Sequence, residues 1–139
     1  MKYLLDTCVL SETTKKSPNF GVVKWLKSCD ESNLYISVIT FGEIQKGVSK
    51  LKDPLRQKQL QSWLDKELIR RFQGQVLELN IDISVQWGIC SGESLNRGIT
   101  IPVIDGLLAA TAIHHNLTLV TQNTRDFKSM PVRLHNPWE

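Results

Sequence analysis

At 139 residues and a formal net charge of +3, the chain has the length of one domain able to bury a core without disulfides or a structural metal. It is too weakly basic for charge alone to name a partner. Its three cysteines, Cys8, Cys29 and Cys90, are odd in number and lack CxxC spacing, which argues against a disulfide framework or a cysteine-rich zinc site and fits a reducing cytoplasm. The opening MKYLLDTCVLSE reaches an acid at its sixth residue, too soon for a signal peptide. No later stretch approaches the ~20 apolar residues of a membrane span. A soluble cytoplasmic protein with a single domain over residues 1–139 is expected.

Lys2 to Asp6 reads as a short buried strand ending on an acid, and Asn19 to Cys29 as a helix with Phe20, Val23, Trp25 and Leu26 at helical spacing. The intervening Ser11 to Pro18 reads as loosely structured. Leu34 to Ser37 forms a second strand and Thr40 to Leu51 a helix with Phe41, Ile44 and Val48 along one side. From Pro54 to Phe72 a long amphipathic helix is expected, its stripe including Trp63, Leu64 and Leu68. Such a stripe more often meets the core than a partner.

Val76 to Leu79 reads as a third strand, Ile83 to Arg97 as a helix closed by Gly98, and Val103 to His115 as an alanine-rich helix opened by Pro102. Leu117 to Thr121 makes a fourth strand and Val132 to Leu134 a possible fifth, with the last few residues loosely structured. Strands alternating with helices predict an α/β sandwich of three layers, a short parallel sheet of four to five strands between helices. Its sites should lie beyond the carboxyl ends of the strands.

Four oxygen-bearing side chains converge on that rim in this topology. Asp6 ends the first strand, Glu43 opens the helix after the second, Asp105 sits in the first turn behind Pro102, and Asn123 follows the fourth strand. Carboxylates grouped in this way suit Mg²⁺, which takes two or three acids and keeps water or phosphate for its other positions. Each acid also has a local explanation. Thr40-Phe-Gly-Glu43 fits a capping box, Asp105 complements a helix dipole, and Asp6 can cap a turn.

Glu43, Lys46 and Lys50 fall at i, i+3 and i+7 of one helix, so two ammonium groups share the side of the acid and suit phosphate. A solvated helix face is the plainer alternative. Lys15, Lys16 and Arg125 are weaker candidates on nearby loops. His114, His115 and His135 lie near a helix end or the chain end, where surface roles are more common than base catalysis.

The segments LLDTCVLSE, SVITFGEIQKG and PVIDGLLAATAIHHNLTLVTQNTRDF resemble, in order and spacing, the signatures of VapC-type toxin ribonucleases of the PIN-domain family. The closing His135-Asn-Pro-Trp138 resembles the tail of one subgroup. The resemblance implies a PIN-like fold and a Mg²⁺-dependent endoribonuclease toxin, with Mn²⁺ able to substitute, that cleaves a specific RNA, tRNA foremost, to inhibit translation. It implies metal binding by Asp6, Glu43 and Asp105, supporting hydroxyls at Thr7 and Thr121, a cognate antitoxin and a homodimer within a toxin–antitoxin hetero-oligomer, to which the spacing above adds Lys46, Lys50 and Arg125 as candidate RNA contacts. The family's fourth acidic position falls on Asn123, a departure for which Asp126 is the candidate replacement, with capping of its turn or pairing with Arg125 as the alternatives. Cys8 stands where many relatives carry Asn.

Two other functions compete. The same acids would serve a structure-specific DNA nuclease, or survive as caps in a catalytically silent nucleic-acid-binding domain. A nucleotide-binding reading lacks GxGxxG and GxxxxGK[ST], and an aspartyl phosphatase would want Asp where Cys8 stands.

Overall fold

A computed structural model describes all of residues 1–139. Five parallel strands form one sheet in the order β3-β2-β1-β4-β5. They are β1 (Tyr3–Leu5), β2 (Leu34–Ser37), β3 (Val76–Leu77), β4 (Thr118–Val120) and β5 (Leu134–His135). The central strand pairs with both neighbours, Tyr3 opposite Leu34 on one side and Thr118 on the other. Chain order reverses between β1 and β4, which makes the carboxyl ends of those two strands the place where a crevice opens in such sheets.

Alternation along the strands divides the core. Leu5, Ile36 and Val120 join Val9 and Leu10 of α1 (Thr7–Thr13), Val22 and Leu26 of α2 (Phe20–Ser28), and Ile44 and Val48 of α3 (Val38–Ser49). Leu4 and Leu119 face the other way, onto Cys90 of α6 (Ile81–Asn96), Ala109 and Ala112 of α7 (Val103–His114), and Phe127. The side-chain period of two sends successive strand residues to opposite layers, and helices cover both.

The expected long helix runs as α4 (Pro54–Ser62), a π-helical turn at Trp63–Leu68 and α5 (Ile69–Arg71). Asp53 caps it through Leu55 N and Arg56 N. Leu64 and Leu68 are buried and Trp63 packs against the same cluster, so this stripe belongs to the core.

Four sequence expectations are corrected. Residues 11–18 begin in helix: α1 starts directly after Asp6, and buried Glu12 ties down the connection to α2 by accepting from Lys15 Nζ and Asn19 N, each at 2.9 Å. Helix α3 starts at Val38 rather than Thr40, because Ser37 Oγ accepts from Ile39 N at 3.1 Å. The closing residues are held as well: Thr121 N donates to His135 O at 3.0 Å, and Trp138 packs against the core. His135 is therefore no surface histidine; its ring lies 5.0 Å from that of Trp25. No helix is long and apolar enough to cross a membrane.

Candidate active site

Asp6 leaves β1 with extended backbone and becomes the N-cap of α1, its Oδ1 accepting from Thr7 N at 2.7 Å. The other oxygen accepts from Thr121 Oγ1, at the end of β4, at 2.8 Å. Thr121 is itself fixed by its place beyond the strand and accepts from Asn123 N at 3.1 Å. The Cys8 thiol lies 3.8 Å from both Asp6 Oδ2 and Thr121 Oγ1. Burial and the Asp6 charge push this thiol up to about 11, so it stands here as a neutral weak donor.

The backbone N–H of Thr7 donates to Asp6 while its hydroxyl donates to Glu43 Oε1, each at 2.7 Å. One threonine therefore orients two acids from different elements. Glu43 lies in the second turn of α3, beyond reach of a capping box on Thr40, whose own hydroxyl is buried without a partner. This removes the local explanation for Glu43.

Asp105 enters from the first turn of α7. Burial, followed by the charges of Asp6, Asp126 and Glu43, pushes its carboxyl up to about 6. Burial likewise raises Asp6, against the opposing donation by Thr121 and Thr7, and Asp126 adds to the rise. Asp105 thus feels three other carboxylates and Asp6 feels Asp126, and none of the four forms an ion pair, since the ion pairs of the chain are Lys15–Glu12 and Arg71–Glu31. Like charges held together without a counter-charge are the arrangement a cation relieves.

As they stand, no three His, Cys, Asp or Glu side chains are grouped closely enough to hold a metal ion together. An open set of carboxylates fits Mg²⁺ better than a zinc-type cage, because Mg²⁺ keeps several waters and takes one or two acids. Asp6, Glu43 and Asp105 are the residues that would hold it.

The PIN domain family model matches residues 3–132. This chain belongs to the PIN domain family. It is 33% identical to the toxin FitB of Neisseria gonorrhoeae over 97% of each chain, and the crystal structure of FitAcB from that organism superposes with a TM-score of 0.93, covering 99% of both chains. The VapC ribonuclease Y4jK of Sinorhizobium fredii is 31% identical, covering 98% of this chain and 97% of its own. The structure of VapBC2 from Rickettsia felis, bound to a DNA fragment from its promoter, gives a TM-score of 0.82 at 32% identity and covers 98% of each chain.

Within this PIN domain the structure brings Asp6, Glu43, Asp105, Thr7, Thr121 and Asp126 together. It leaves Asn123 exposed, with its backbone rather than its side chain bonded to Thr121. Asp126, in the 3-10 turn Thr124–Phe127, carries the fourth negative charge and forms no ion pair with Arg125. Lys46, Lys50, Lys16 and Arg125 are exposed cations free of ion pairs, whereas Lys15 is engaged by Glu12. His114 and His115 are exposed on the end of α7.

Sequence reading missed the cap at Ser37, the buried Glu12 and the Trp87 side chain that meets Gly106. A signal existed for the first: Ser directly before a helix-forming run is an N-cap in its own right. Glu12 and Trp87 act across the fold, and nothing local marks them.

Proposed function

We propose that this chain is the ribonuclease toxin of a toxin–antitoxin pair, an endonuclease that hydrolyses RNA phosphodiesters with Mg²⁺ held by Asp6, Glu43 and Asp105. One observation carries the reading. Two acids oriented by threonine hydroxyls face a third, raised to about 6, with no cation of the protein among them. Caps alone would not need acids from three elements to share one rim.

A divalent cation supplies activation of water and neutralisation of phosphate charge. The chain supplies the rest. Thr7 and Thr121 hold Glu43 and Asp6 in fixed rotamers, so little reorganisation is left for the moment of reaction. Lys46 and Lys50 on α3 and Arg125 beyond β4 present cations to the RNA backbone, which positions a strand without reading its bases. The basic groups compensate an acidic centre that would otherwise repel a polyanion.

The likeness to the toxin FitB and to the VapBC2 complex supports a cognate antitoxin as partner. Action in the cytoplasm, with tRNA as the substrate class and arrested translation as the result, completes the proposal. A homodimer is the proposed basic unit. The helix α6 exposes Ile81, Val85 and Ile89 at i, i+4 and i+8, an apolar row that a second copy would remove from water.

The test is incubation of the chain, freed of antitoxin, with total cellular RNA and separately with DNA, in Mg²⁺ or EDTA, beside Asp105→Asn. Discrete RNA ends that appear only with Mg²⁺ and the unmodified acid are expected. Intact RNA with cleaved DNA would replace this reading by a DNA nuclease, and no cleavage of either would leave a binding domain.

A further inference from the structure

We propose that Trp87 is a positioning residue for Asp105, acting through Gly106; the inference rests on the metal-site reading above. Asp105 differs from the other acids in what fixes it. No protein donor bonds its carboxylate, and α7 begins at Pro102 without a side-chain cap. The place of Asp105 is therefore set by the packing of the first turn of α7 rather than by hydrogen bonds to its own oxygens.

That packing centres on the next residue. A Cβ at Gly106 would lie 2.8 Å from Cδ1 and 2.9 Å from Nε1 of Trp87, so the indole occupies the space a side chain at 106 would need. Gly106 has no positive φ, and space alone demands the glycine. Ile101 completes the contact at 3.5 Å.

The indole N–H is buried without an acceptor, as is Ser91 Oγ one turn further along α6. No protein acceptor anchors the indole, so what the protein itself supplies at this position is its packing against Gly106 and Ile101. The ring is thus kept for its shape: it presses against the α7 backbone beside Asp105 and blocks movement of that turn toward α6. A displaced turn would carry Asp105 away from Asp6 and Glu43, and loss of a residue that orients a metal ligand commonly weakens metal binding about 10–100-fold.

Mn²⁺ titration by calorimetry on the full chain tests this without recourse to activity, with far-UV circular dichroism and thermal unfolding run in parallel. Gly106→Ala and Trp87→Ala should each weaken Mn²⁺ by about 10-fold. The double variant should be no worse than either single one, because truncating the indole vacates the space the new methyl enters. Trp87→Phe, which keeps a ring against Gly106 and stands in should Gly106→Ala fail to fold, should stay within about threefold of the unmodified chain, well short of the loss expected of a missing orienting group. Cys90→Ala opens the same helix pair away from the first turn and should lower the unfolding midpoint with the Mn²⁺ affinity unchanged.

Equal affinity in all variants, additive losses in the double variant, a Trp87→Phe loss matching that of Trp87→Ala, or a Cys90→Ala loss matching that of Gly106→Ala would each overturn the inference. An unmodified chain that takes up no Mn²⁺ would overturn the metal-site reading itself and this inference with it.

Discussion

The two sides of the acidic rim are built by opposite means. Asp6 and Glu43 are held by hydrogen bonds: each accepts from a threonine, at 2.8 and 2.7 Å, and Asp6 also caps a helix. Asp105 accepts from nothing, rises to about 6 and depends on the fit of α7 against α6. The first side is preformed, and the second holds charge that the metal-free chain tolerates poorly. Hydrogen bonding to a charged form stabilises it, so the donations from Thr121 and Thr7 offset part of the burial that raises Asp6, whereas nothing offsets the rise at Asp105.

The largest expected effect breaks both sides. Asp6→Asn and Asp105→Asn should each lower Mg²⁺-dependent RNA cleavage by more than about 100-fold, since even residues that only orient a ligand are worth 10–100-fold. Their stabilities should part company. In the absence of metal, Asp105→Asn relieves a half-buried charge repelled by three other carboxylates and should raise the unfolding midpoint at neutral pH. Asp6→Asn keeps a competent cap but turns an acceptor of the Thr121 hydroxyl into an amide, and should not raise it. Melting curves of the two variants in EDTA compare the sides directly, and parallel shifts would refute the distinction.

A smaller effect separates the donors. Thr121→Val removes the hydroxyl that holds a buried acid and should weaken Mn²⁺ about 10-fold or more. Thr7→Val removes the donor to Glu43, which is only half-buried, and leaves the backbone N–H of residue 7 donating to Asp6. Its loss should be several-fold smaller, because water can replace the missing donor at a wetter site. Calorimetric affinities in the reverse order would show that Glu43, not Asp6, anchors the ion.

How legible this was in the sequence follows the same division. The layered parallel sheet, Asp6 at the end of β1, Glu43 on α3 and Asp105 behind Pro102 were all readable, because strand period, helix caps and proline act within a few residues. The start of α1 was not, since the Thr7–Thr13 helix follows the strand without a linker and its polar Ser11, Glu12 and Thr13 resemble a loop. Glu43 was ambiguous for the same local reason: Thr40 offered a capping box that Ser37 had already made redundant. Trp87 carries no local signal that singles it out on α6. Only the approach of α7, with glycine at 106, gives it a task. Asn123 drew attention through its place in the motif, yet the fourth charge comes from Asp126, three residues on, because the chain turns through a 3-10 helix there.

The pH dependence of stability sharpens the contrast further. The carboxyl of Asp105 is pushed up from 3.8 to about 6, so between those values the folded chain keeps a proton that the unfolded chain has lost. Raising the pH through this window therefore removes stability, and the loss is complete above about 6. Asp6, raised by its burial, adds a contribution of the same sign. In EDTA the unfolding midpoint should fall between about pH 4 and pH 6, and Asp105→Asn should flatten much of that fall. Mn²⁺ should weaken in affinity across the same window on acidification, because protons compete for the same oxygens. A midpoint that rises with pH over this interval would mean that Asp105 is not the strained acid.

The smallest effect concerns Asn123. Its side chain is exposed and makes no cap bond, and Asp126 already contributes charge to Asp6 and Asp105. Asn123→Asp would add a carboxylate to a rim whose fourth charge is already supplied, in contact with solvent, where counter-ions screen over about 10 Å at 0.1 M salt. Mn²⁺ should bind at most a few-fold more tightly, and the gain should shrink as salt is added. Asp126→Asn should cost more than Asn123→Asp gains, because it removes a charge that reaches both central acids. An Asn123→Asp variant that binds an additional ion, seen as a second step in the titration, would instead show that the rim is short of one ligand and that Asp126 does not supply it.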